Sequence, residues 1–155
     1  NLQCMASAKG LDDYVTFTGF LSGEPLLRAF SAFDLGVIPD PKNSYNDKIS
    51  MNKVFEYMSL GIPFVSFDLI ECKKASRGAA LYAGNNDPAS LAHQMARILD
   101  DKALAGALGQ EGLMRARMLL KWENERARLL AAYDSVLSGV AKTASSRPAA
   151  HPAAP

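Results

Sequence analysis

Asn52-Lys53-Val54-Phe55-Glu56-Tyr57-Met58-Ser59-Leu60-Gly61-Ile62-Pro63-Phe64-Val65-Ser66-Phe67 changes its period in the middle. Val54, Phe55, Met58 and Leu60 fall on or near one side of a helix running over 52–60. Gly61 provides a left-handed stop, and Pro63 prevents the helix from resuming. Phe64–Phe67 is short and almost wholly apolar, the pattern of a strand covered on both faces. A helix delivered directly into such a strand is half of a parallel αβ repeat.

The same alternation extends in both directions. Upstream, Val15-Thr-Phe-Thr is β-branched and aromatic and ends at Gly19, which predicts a strand over 15–18. A helix follows from Glu24-Pro25, with Leu26, Leu27, Phe30 and Phe33 as its stripe. Asp34–Ile38 is the next strand, closed by Pro39-Asp40-Pro41, and a polar loop covers 42–48. Downstream, a short helix over 69–76 and a strand over 79–82 follow. Three helices come next: one from Asp87-Pro88, one over 101–118 and one over 121–138. This order predicts an α/β fold, a Rossmann-like parallel sheet with helices on both faces. Residues 1–138 are expected to form the domain. Residues 139–155, mostly Ala, Pro and Ser with a single Lys, are expected to be a disordered tail.

Composition narrows the function. The 155 residues are 48% hydrophobic and 21% charged, with net charge +1. That near-balance argues against a nucleic-acid partner, which needs clustered Lys and Arg. Cys4 and Cys72 lie far apart and form neither a zinc motif nor a disulfide framework. No apolar run approaches the roughly 18 residues of a membrane span, and the first residues do not read as a signal peptide. A cytoplasmic location is expected, at most peripheral at the membrane face. The chain opens on Asn1 with Leu2, Met5 and Ala6 already at helical spacing, as a chain cut into would.

In an open parallel sheet, ligands bind beyond the carboxyl ends of the strands. Three places qualify: Gly19-Phe20, Pro39-Asp40, and the entry to the 52–60 helix at Ser50-Met51-Asn52-Lys53. The third is the richest. Backbone N–H groups at a helix start, beside Asn52 and Lys53, suit a phosphate or diphosphate. Glu56 lies one turn further along, where a carboxylate can accept hydrogen bonds from a vicinal diol such as a ribose. The same residues also fit a plain helix start, where an acidic side chain favours the dipole and a lysine is solvated.

Four segments, in order, resemble the retaining glycosyltransferases of family 4, of the GT-B fold. Asn52 through Val65 is similar to that family's Glu-(Ala/Tyr)-(Met/Leu)-Ala-x-Gly-x-Pro segment. Val15-Thr-Phe-Thr-Gly19-Phe-Leu and Asp34-Leu-Gly-Val-Ile-Pro39 resemble two of its strand-and-turn segments, and Trp122 followed by Tyr133 resembles its ending. The resemblance implies the C-terminal, donor-binding part of a group 1 enzyme. Such an enzyme moves a sugar, with retention, from a nucleoside-diphosphate sugar to an acceptor hydroxyl in polysaccharide or glycolipid synthesis. It implies Glu56 on the donor ribose, amides near Met51 and Asn52 facing the phosphates, and Gly19, Phe20 and Leu21 against the base. No metal or other cofactor is implied. The family's usual second Glu corresponds to Lys48 here, a departure. A longer variant, Asp-Pro-x-Asn…Asn-Lys-x-x-Glu-Tyr-Met, is closer to 40–58, and places Asp40 or Asp47 near the sugar.

The resemblance covers only the later part of one of two domains. The partners it implies are the donor and an absent N-terminal acceptor domain. The basic and apolar helix at 115–130 reads first as a solvated face that packs on the core or on that domain, and second as one drawn to an anionic lipid surface. The isolated chain is then expected to be a fragment without activity of its own. Two other readings stand beside this one. One is a remnant or assembly module with no chemistry. The other is a receiver-type domain phosphorylated on Asp40, weakened because Asp12 and Asp13 precede a strand instead of following one.

Overall fold

The structure, a computed structural model, describes residues 1–145, with side chains as far as 138. It divides into two compact units, Asn1–Asp34 and the remainder from Leu35 onward. The first holds α1 (Leu2–Ala8) and α2 (Gly23–Ser31). Asn1 caps α1 by accepting from the Gln3 N–H at 3.1 Å. Phe30 meets Phe33 edge-on at 5.4 Å between ring centres. The strand expected at 15–18 does not form. A strand exists only as one side of a hydrogen-bonded ladder, and this unit contains no other strand. Val15 and Phe17 therefore keep strand-like composition without a strand's partner, and both are exposed.

The second unit is the αβ repeat. Its sheet has three parallel strands in the order β1 (Gly36–Ile38), β2 (Phe64–Phe67), β3 (Ala80–Ala83). Gly36 is in register with Phe64, and Phe64 in turn with Ala80. The helices are α3 (Asn52–Leu60), α4 (Ile70–Ser76), α5 (Pro88–Asp100), α6 (Lys102–Leu119) and α7 (Trp122–Ser145). The α/β, Rossmann-like class read from the sequence is the one observed. The run from 139, expected to be a tail, is helical as far as Ser145, where it continues α7 through Gly139; 146–155 lie outside the described residues.

All four residues of β2 are buried, which explains its unalternating sequence. One face carries Val65 and Phe67 into a cluster with Ala83, Leu91, Ile98 and Leu108. On the other, Phe64 meets the Tyr57 ring at 5.7 Å and the Ser66 hydroxyl donates to Cys72 Sγ at 3.3 Å. The start signals are local. Asp87 accepts from the Ala89 and Ser90 N–H groups, both at 3.0 Å, and Asp101 does the same for Ala103 and Leu104 at the start of α6. Asn124 of α7 donates to the last carbonyls of α6, that of Met118 at 3.0 Å.

Buried polar groups on the α4 side are satisfied by one another. Ser76 bonds the Cys72 carbonyl at 2.6 Å and the Tyr82 hydroxyl at 2.5 Å. Burial pushes the Tyr82 hydroxyl up to about 12 and raises the Cys72 thiol as well. A thiol reagent at neutral pH is expected to label exposed Cys4 alone, and Cys72 only after unfolding. Rapid labelling of two thiols in the native protein would contradict this packing.

Glycine sets how closely α3 approaches its neighbours. Gly61 ends α3 at φ 70°, and its carbonyl lies against Gly109 of α6. A Cβ on Gly109 would sit 2.4 Å from that oxygen, whereas one on Gly106 would meet nothing within 4 Å. Gly109→Ala is therefore expected to destabilise the protein by about 1–3 kcal/mol through overpacking. Gly106→Ala, in the same helix, should gain up to about 1 kcal/mol from propensity. Urea melts of the pair check this, and equal midpoints would refute it.

Candidate functional site: a cleft at the start of α3

Tyr57 and Met58 place α3 on the sheet. Met58 is fully buried, and the Tyr57 ring lies over Gly36 so closely that a Cβ there would be 2.6 Å from it. Burial raises the Tyr57 hydroxyl, with a hydrogen bond to the Val37 backbone working the other way. With its middle fixed, α3 points its first turn at the carboxyl end of β1, where Asp40 follows.

The N-terminus of this nine-residue helix carries no side-chain cap: Met51 occupies the cap position and is extended, at φ −77° and ψ 128°. The Val54 N–H turns back to the Met51 carbonyl at 3.1 Å, and the amides of Asn52 and Lys53 are left to solvent or a ligand. A cleft of about 400 Å³ opens there, lined by Asp40, Tyr45, Asn46, Ile49, Ser50, Met51, Asn52 and Lys53. Four residues expected from the sequence, Asp40, Met51, Asn52 and Lys53, are thus brought together. Lys53 Nζ lies 2.8 Å from Asp40 Oδ2. The ammonium is therefore paired with another residue of the cleft wall.

Glu56 is exposed and does not line the cleft. Three residues on from Lys53, it occupies the next turn, outside the walls. Gly19, Phe20 and Leu21 lie in the first compact unit. There Gly19 turns at φ 66° and Phe20 is 92% exposed. Lys48 is exposed at the end of a short 3-10 turn over Asn46–Lys48. Asp47 is occupied within the fold: its Oδ1 accepts from Lys42 Nζ at 2.9 Å and from the Ile70 N–H at 3.1 Å. A carboxylate so held is a brace for the loop.

The sequence reading missed the loop's internal bracing. Asn43 Oδ1 accepts from the Tyr45 and Asn46 N–H groups at 3.0 and 2.8 Å, and Asn46 Nδ2 donates to the Pro41 carbonyl at 2.7 Å. The density of Asn between Pro41 and Asp47 was the available clue, since Asn bonds nearby backbone in turns. Among the described residues, no three His, Cys, Asp or Glu side chains gather as a metal site would require.

Residues 1–101 of the 155 match the family described as glycosyl transferases group 1. The chain belongs to that family. Among solved structures, a sucrose-phosphate synthase from Thermosynechococcus elongatus is similar to this group 1 chain, with a TM-score of 0.73 and 24% identity. The match covers 89% of this chain and 34% of that one, so the chain spans about a third of its neighbour's length. At that identity the likeness is one of fold, and the fold is the α/β arrangement described above. No curated protein sequence matches the chain. No helix among the described residues is long and apolar enough to cross a membrane.

The Asp47 carboxyl sits below its ordinary value of 3.8, chiefly because the Lys42 ammonium bonds it and secondarily through the Ile70 N–H. A lowered acid favours the fold when ionised. Its contribution is therefore whole above about pH 4 and is lost as pH falls through the lowered value. The Ile70 amide resonance of this group 1 chain should move in that acid range, and Asp47→Asn should abolish the movement. A shift persisting in the variant would assign it to another group.

Proposed function

We propose that the cleft binds the diphosphate of a nucleotide-sugar donor. The chain would thereby supply the donor-binding part of an enzyme transferring sugar to an acceptor hydroxyl, with retention, in polysaccharide or glycolipid synthesis. The observation that carries this is the uncapped start of α3 opening on a cleft lined by Lys53, in a member of a glycosyl transferase family. First-turn amides and an ammonium are complementary to a diphosphate. In this reading the diphosphate takes its neutralisation from Lys53 and the α3 amides, without a metal ion. Asp40, released from Lys53 by the incoming anion, is free to accept from a sugar hydroxyl.

Glu56 extends the site outward by one turn. A ribose there would be held by its carboxylate. The acceptor would be bound by a further domain of the protein. Exposed Trp122, Leu129 and Tyr133 on α7, flanked by Lys121, Arg126 and Arg128, support a contact with that domain or with an anionic lipid surface.

The division of labour is testable with inorganic pyrophosphate and UDP, ADP and GDP as probes, by calorimetry in the presence of EDTA. Lys53→Ala should weaken pyrophosphate and nucleotide alike, by about tenfold, the range of one charge-assisted hydrogen bond. Glu56→Gln should weaken the nucleotide while leaving pyrophosphate unchanged. Wild-type protein that binds none of the four at millimolar concentration would sink the reading. Binding that vanishes in EDTA would sink its metal-free part.

A further inference from the structure

The loop forming most of the cleft wall is tied to a turn on the opposite strand. Asn86 stands between β3 and α5, at φ 52°, next to Asn85 at φ 59°, left-handed conformations that Asn tolerates. Its side chain reaches the loop after β1, which lies beyond the end of the central strand. Asn86 Oδ1 accepts from the Lys42 N–H at 2.5 Å, and Asn86 Nδ2 donates to the Lys42 carbonyl at 3.0 Å. Only this amide orientation satisfies both backbone groups.

Lys42 is also held by its ammonium. Nζ donates to Asp47 at 2.9 Å and to the Asp68 carbonyl at 2.6 Å, in the segment leaving β2. Asp47 accepts in turn from the Ile70 N–H. The segments following β1, β2 and β3 therefore converge on one lysine. Asn86, Lys42 and Asp47 do not line the cleft, whereas Asp40, Tyr45 and Asn46, on either side of Lys42 in the same loop, do.

We propose that Asn86 is a positioning residue for the ligand cleft. It fixes the loop that carries Asp40, Tyr45 and Asn46, so that binding a diphosphate does not have to order that loop first. The inference rests on the reading of the cleft as the donor-phosphate site.

Asn86→Gly is the informative variant. It keeps the left-handed backbone available and deletes both bonds. Asn86→Asp keeps the acceptor for the Lys42 N–H and loses the donor. UDP affinity by calorimetry and amide hydrogen exchange by NMR are measured on the full chain. Having to order the loop on binding is expected to cost about tenfold in UDP affinity for Asn86→Gly, with Asn86→Asp between it and wild type. Exchange should quicken at Lys42, Tyr45 and Asn46 and stay slow at Val65 and Leu81 in the sheet. UDP affinity equal to wild type in Asn86→Gly would overturn the proposal alone. So would exchange that quickens in the sheet as much as in the loop, since Asn86 would then be merely structural. Wild-type protein that binds neither UDP, ADP nor GDP would overturn the donor reading, and this proposal with it.

Discussion

The contact between Gly109 and the Gly61 carbonyl governs where everything else sits. Two backbones meet there with no side chain between them. On its other side, α3 lays Tyr57 over Gly36, again where no Cβ intervenes. A helix pressed between two glycines has little freedom to slide along the sheet. Its first turn is therefore delivered to the carboxyl end of β1, and Lys53 comes within bonding distance of Asp40. Close packing transmits position in this way because interiors are incompressible on this scale.

Electrostatics at the cleft does a different job. The Lys53–Asp40 pair is part-exposed, with side-chain exposures of 44% and 34%. Such a pair is worth at most about 1 kcal/mol to stability, so its value lies in orientation. An ammonium already parked beside unfilled helix amides is preorganised for an anion. The carboxylate keeps that charge compensated until an anion arrives. The absence of a side-chain cap at Met51 fits this division: a Ser or Asp there would stabilise the helix and occupy the amides a ligand needs.

Much of the fold was legible because its determinants are local. Gly61 and Pro63 mark one boundary, Asp87-Pro88 and Asp101 mark two helix starts, and the unbroken apolar run of Phe64–Phe67 marks the central strand. The resemblance to a glycosyltransferase family rested on Asn52–Val65 with 15–21, 34–39 and Trp122 with Tyr133, and the family match over residues 1–101 covers the first three. The site was half legible. Asp40, Met51, Asn52 and Lys53 fall together as their place at a strand end and a helix start predicts. Val15–Thr18 misled, because β-branched composition describes a residue's fitness for a strand and cannot supply the strand beside it. The Asn86–Lys42 tie was invisible: it spans 44 positions, and nothing in Asn85-Asn86-Asp87 except a turn is readable alone.

The distribution of exposed apolar surface completes the physical picture. The sheet unit hides its own core thoroughly, with Ile38, Phe64, Val65 and Leu69 all at 0% exposure. On α7, by contrast, Trp122, Leu129, Leu130, Tyr133, Val136 and Leu137 are all exposed, as are Met114 and Met118 on α6. Scattered exposed leucines are ordinary, but a helix apolar at Leu129, Tyr133 and Val136 holds a periodic face. Among the described residues that face stays exposed. The residues that build the cleft are braced from within the unit, and those that build the α7 face are not. Phosphate recognition, as proposed, thus needs only this unit's own packing, while the α7 stripe is apolar and exposed.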